Sequence, residues 1–73
     1  MLNWINAKES LPETDESVLV YCSYYYDGDY NHIEYAYEVA HYYHGDWIGD
    51  KASEYGSKVL YWMPLPKRPS DQI

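Results

Sequence analysis

The sequence has no phenylalanine and a single cysteine among 73 residues, and only 5 basic side chains stand against 12 acids. Each shortage excludes something. One cysteine, Cys22, cannot close a disulfide within the chain, which removes the disulfide scaffolds of small secreted domains. The deficit of Lys and Arg leaves a net charge of −7. That balance disfavours DNA, RNA and anionic membranes as direct ligands, because phosphate contacts need cations. It favours a basic partner. No apolar run approaches the roughly 18 residues that cross a bilayer. The opening stretch from Met1 to Lys8 lacks the charged-then-apolar order of a secretory leader. The cytoplasm is the expected compartment.

Aliphatic side chains are scarce too. Leu, Ile and Val together number only 13, which in an acidic chain ordinarily reads as disorder. Eleven Tyr and three Trp reverse that reading, since one aromatic buries about 150–250 Å². The length allows one small domain, residues 1–73. A chain this short buries only roughly 60% of the surface its unfolded form exposes. A Trp/Tyr core is therefore expected, with each buried hydroxyl partnered. Pairing with a homodimer partner or another protein is the expected supplement to so small a core.

Strand signals dominate the pattern. Residues 17–26 are β-branched and aromatic, and residues 33–43 alternate more cleanly than any other stretch. In the latter, Ile33, Tyr35, Tyr37, Val39, His41 and Tyr43 share one face. Glu34, Ala36, Glu38, Ala40 and Tyr42 share the other, which reads as the polar one. The run from Asp27 to Asn31 marks a hairpin reversal, and His44-Gly45-Asp46 a second turn. Trp47-Ile48 and Lys58 to Met63 supply two further strands, while Asp50 to Ser57 reads as a loop or a helical turn ending near Gly56. Ser10 to Glu13 fits a capping box, predicting one helical turn there. The fold class is mostly β, or a small α+β. It is a single twisted antiparallel sheet of three to four strands around the Trp/Tyr core, frayed at residues 70–73.

The chemistry of catalysis and metal binding has little support. His41 and His44 stand three apart on an extended chain, which points them to opposite faces. Asp27, Asp29 and Asn31 begin like a calcium loop, but His32 occupies the sixth position, where glycine is required. Cys22 sits mid-strand on an apolar face, where a thiol behaves as a small hydrophobe. No cofactor, metal or enzymatic activity is expected.

Two ends of the chain carry a family resemblance. Trp4-Ile5, Leu11-Pro12-Glu13 and Val18-Leu19-Val20 open it, and Tyr61-Trp62-Met63-Pro64-Leu65-Pro66 closes it, with Pro69 beyond. Between them lie Val39-Ala40-His41-Tyr42-Tyr43, Gly45 and Trp47. Together these resemble the phage and prophage family catalogued as domain of unknown function 551, from Trp4 to Pro69. Tyr61 stands where that family commonly shows His, and the stretch from Cys22 to Glu38 is unusually rich in Tyr and Asp. The resemblance implies a mobile-element origin and no agreed activity. The matched Trp4, Trp47 and Trp62 also read plainly as core, pinned by Pro12, Pro64 and Pro66.

What remains is charge. From Glu9 to Glu54 there are 11 acids and one base, Lys51. Carboxylates pair with Arg in a two-point fork much as phosphates do, and Tyr rings offer faces on which Arg stacks. Small acidic phage proteins that occupy nucleic-acid grooves give an analogy, in anti-CRISPR and anti-restriction proteins. The expected function is a non-enzymatic inhibitor that mimics nucleic acid on a basic host protein or ribonucleoprotein complex. Its expected contacts are Asp27, Asp29, Glu34 and Glu38, with Tyr25 and Tyr30 as stacking groups. The alternative is a phage accessory or assembly module acting through aromatic protein–protein contacts.

Overall fold

A computed structural model describes residues 3–66. Five strands form one antiparallel sheet: β1 (Ile5–Asn6), β2 (Val18–Tyr25), β3 (Ile33–Tyr43), β4 (Asp46–Ile48) and β5 (Lys58–Pro64), in the order β1-β5-β2-β3-β4. The mostly-β reading holds, with one strand more than the three to four expected. The addition is β1, two residues long, whose pairing of Ile5 with Trp62 and Asn6 with Tyr61 spans nearly the whole chain. So short a strand has no periodicity of its own; its partner makes it a strand.

Local chemistry explains the reversals. The β2–β3 hairpin turns through a short 3₁₀ segment, Tyr26–Gly28, closed by the Tyr26 amide donating to the His32 carbonyl at 2.8 Å. The β3–β4 hairpin turns on His44 and Gly45, both with positive φ (48° and 86°), the left-handed pair that matches the strand twist. The expected helical turn at Ser10 to Glu13 is absent. The chain instead turns at residues 7–9, where the Asn6 carbonyl accepts from Glu9 and Ser10 amides and the Asn6 side chain accepts from Lys8. Residues 50–57 likewise form turns with no helix.

The register fixes which side chains share a face. Val18 and Val20 oppose Ala40 and Glu38 on β3, and Pro64 and Trp62 on β5. That face is covered by residues 7–17 at one end and by residues 49–57 at the other. Val18, Val20, Cys22, Ala40, Ala52 and Trp62 are buried there, with Ile5, Ala7, Trp47 and Val59 packed against the cluster. The expected Trp/Tyr core is thus corrected. Trp62 is buried, Trp47 is half-buried, and Trp4 lies on the other face, 6.1 Å from Tyr37. None of the eleven tyrosines is buried. A phenol reaches past the small space that Val, Ala and Cys leave, so the rings stay where their hydroxyls meet water.

Two contacts lock the covering layers. The Trp62 indole N–H donates to the Ser10 carbonyl at 2.9 Å, holding residues 7–17 over the core. The Glu38 carboxylate accepts from the Lys51 amide (2.8 and 3.1 Å) and the Ala52 amide (2.8 Å), holding residues 49–57. Gly49 lies beneath the same carboxylate; a Cβ there would stand 2.5 Å from Glu38 Oε2 and 2.9 Å from the Ala40 Cβ. Small residues on this side of β3 make that approach feasible. Replacing Glu38 by Ala strands two partly buried amides and should cost about 1–3 kcal/mol, with Glu38→Gln costing less because it keeps an acceptor. Urea unfolding followed by circular dichroism measures both.

Candidate functional site

The β2–β3 hairpin tip concentrates most of the residues that the sequence singles out. Tyr25 ends β2 and its ring packs edge-on to Tyr30 at 4.8 Å. Tyr30 in turn stands 6.4 Å from Tyr55 on the covering segment. Gly56 has a φ of +82° and sits against the Tyr25 ring, where a Cβ would stand 2.6 Å from Cε2. Tyr25 is therefore held in place on one side, while Tyr30 is 63% exposed.

The acids at this end are set by turn chemistry. Asp27 occupies a left-handed position with φ 52°, which Asp tolerates better than most side chains. One Asp29 carboxylate oxygen accepts from the Asn31 amide at 2.9 Å, an Asx turn made by an exposed side chain. Glu34 meets the His32 imidazole at 2.6 Å, with both side chains about half exposed. The ion pairs among the described residues are this one and Lys51–Glu54 at 3.7 Å; neither Asp27 nor Asp29 belongs to one.

Glu38 stands apart. It lies four residues along β3 from Glu34, turned toward the covered face and bonded to the backbone of residues 51 and 52. The structure thus brings Tyr25, Asp27, Asp29, Tyr30 and Glu34 to one end and gives Glu38 a structural duty. Its signal was available only in combination, as a Glu flanked by Ala36 and Ala40 opposite a later Gly49.

A second surface extends the β3 face beyond what its alternation shows. The uncovered face of the sheet presents Ile33, Tyr35, Tyr37 and Val39, between 52% and 68% exposed, beside Tyr21 and Tyr61. Tyr21 stacks on Tyr35 at 5.7 Å and tilts against Tyr37 at 4.9 Å. Trp4, Tyr21, Tyr37 and Tyr61 enclose a shallow recess. Asp46, at the β4 corner, is the only acid among the described strand residues on this face.

Among the described residues no helix is long and apolar enough to cross a membrane. Fold and surface define a small single-sheet β domain with one bare aromatic face and an acidic hairpin tip. The chain belongs to the family described as protein of unknown function (DUF551), which matches residues 3–70. The comparisons with curated proteins and with solved structures return no match.

Cys22 is wholly buried on the covered face. Burial pushes its thiol from 9.0 up to about 11, and the Glu38 and Glu54 carboxylates push the same way against the Lys51 ammonium. The unfolded thiol ionises first. Its contribution to stability is therefore full below pH 9 and lost as the pH climbs toward 11. Native protein should react with a thiol-specific chromogenic disulfide only at its rate of opening, far slower than unfolded chain. A Cys22→Ala variant should lose less stability than the parent between pH 9 and 11, compared by urea titration at each pH.

Proposed function

We propose that this protein is a non-enzymatic phage or prophage anti-defence protein, of the anti-CRISPR or anti-restriction type. Its acidic, tyrosine-bearing hairpin end occupies a basic nucleic-acid-binding site on a host protein or ribonucleoprotein complex in the cytoplasm. One observation carries the reading: the acids are segregated. The uncovered sheet face holds Asp46 alone among its described strand residues, while Asp27 and Asp29 project from the tip without ion-pair partners among the described residues. Glu9, Glu13, Asp15 and Glu16 lie in the covering loop, and Asp50 and Glu54 in the covering segment.

Charge held on one side of a low-dielectric body focuses a negative field outward. Exposed Tyr30 beside Asp27 and Asp29 offers a ring and carboxylates to the same guanidinium, the pairing that a base and a phosphate offer in nucleic acid. The phage association implied by the family resemblance supplies the setting, and that part is analogy.

The bare aromatic face favours a second reading, an accessory or assembly module acting through aromatic contacts. The two differ in their response to salt. Electrostatic capture weakens as the Debye length falls from about 10 Å at 0.1 M to about 3 Å at 1 M, whereas aromatic docking does not.

The test compares wild type with a D27N/D29N/E34Q variant, whose amides keep the Asp29 turn bond and remove three charges. In salt-graded pull-downs from host lysate, wild type should retain a basic nucleic-acid-binding protein that high salt releases. The variant should retain it at least about tenfold less well, as expected for charge-assisted bonds. Retention indifferent to both salt and the substitutions would sink the mimic reading and leave the aromatic module.

A further inference from the structure

The uncovered sheet face is a surface for which the described residues supply no second layer. We propose that it packs against the same face of a second copy, forming a two-fold dimer of facing sheets. This does not depend on the acidic tip having a partner.

The alternation along β3 sets up the problem. Its small side chains, Ala36 and Ala40, turn to the covered face, and its large ones, Ile33, Tyr35, Tyr37 and Val39, turn to solvent. That inverts the ordinary arrangement, in which a sheet buries its larger apolar face against another element. Tyr21 on β2 and Tyr61 on β5 stand opposite each other in the register and extend the same surface. Val20 and Cys22 are the largest side chains that the single layer buries completely. A second sheet about 10 Å away would supply the missing contacts.

Charge selects the occupant. Any two copies of a −7 chain repel, and an isologous contact sets each patch against itself. The covered side and the tip would therefore place acids against acids. The uncovered face avoids this, with Asp46 confined to a corner and Lys58, paired with Ser23, on the opposite margin. Its central residues, Tyr21, Tyr35, Tyr37 and Val39, carry no charge. A basic partner finds nothing there to pair with; a copy of the same neutral surface fits.

The area suits a small interface. Strands β2, β3, β4 and β5 hold 8, 11, 3 and 7 residues. At about 3.3 Å per residue and about 4.8 Å between strands they give a patch of roughly 460 Å² in plan. That fits the smaller, concentration-dependent contacts of under about 600 Å² per partner. The recess between Trp4, Tyr21, Tyr37 and Tyr61 accepts a side chain from the facing sheet.

Sedimentation equilibrium tests the proposal on the full chain. Wild type should approach twice its 8.7 kDa chain mass as concentration rises. Tyr37→Glu and, separately, Tyr35→Glu place a carboxylate at exposed positions of the face, so each monomer keeps its circular dichroism spectrum. Each should raise the dimer dissociation constant by about 100-fold, the effect of removing a central aromatic anchor. The D27N/D29N/E34Q variant should dimerise at least as well as wild type. Three outcomes overturn the proposal. One is a monomer at every concentration. Another is a dimer unaffected by both face substitutions, with slowed amide exchange along residues 33–40, which would put the contact on the β3 edge. The third is a monomer that uses this face to hold a different protein.

Discussion

The end of the sheet beneath residues 49–57 stays covered because one carboxylate takes the place of a neighbouring strand. Beyond its short pairing with β4, strand β3 meets residues 49–57 through the Glu38 side chain, which takes two backbone amides of that segment. A carboxylate accepting amide bonds fixes position as firmly as a stretch of ladder, and it does so perpendicular to the sheet. Three small neighbours make this geometry available: Ala40 on the strand, and Gly49 and Ala52 on the segment. The buried Cys22 and the placement of Tyr25 against Gly56 both follow from that segment's path.

Much of the architecture was legible because the signals were local. The boundaries of β3 follow from its alternation, and the His44-Gly45 reversal follows from turn chemistry. The Trp-Met-Pro end appears as β5 because a β-rich run stops where proline removes a donor. Period-two alternation divides side chains into two faces without saying which is covered. In β3 the glutamates mark one face as polar, so the natural inference turns it outward. The covering segment reverses this by offering amides to Glu38, an acceptor that an aliphatic strand would lack. The failure of the tyrosine core has a related origin: of the rings that a sequence counts as burial capacity, Tyr21, Tyr35, Tyr37 and Tyr61 lie on the face that no described residue covers.

The candidate site was legible in the same measure. Asp27, Asp29 and Tyr30 belong to the hairpin turn, where short polar side chains and an exposed ring are set by backbone conformation. Tyr25 and Glu34 flank it on paired strands, so register alone brings them to the same end. Glu38 was grouped with them by charge and by spacing along β3, and neither reports a bond made thirteen residues later. The aromatic face was legible only along β3, whose alternation sets Ile33, Tyr35, Tyr37 and Val39 on one side. Tyr21, Tyr37 and Tyr61 come from three strands, and Trp4 reaches them from the start of the chain.

The two surfaces constrain one another. An acidic chain that exposed its carboxylates evenly would have no neutral region able to approach another copy, and it would spread its field too thinly to discriminate a basic groove from bulk cations. Keeping the central β3 face free of charge concentrates the negative groups on the tip and the covering loops. Two-fold closure over the aromatic face leaves both tips at the periphery, because Asp27 and Asp29 lie beyond the end of β2 rather than over its centre. The proposed dimer presents two acidic ends on one body. Linked ends of that kind would raise the effective concentration of the second contact once the first had formed, provided their separation matched the spacing of basic sites on the proposed partner.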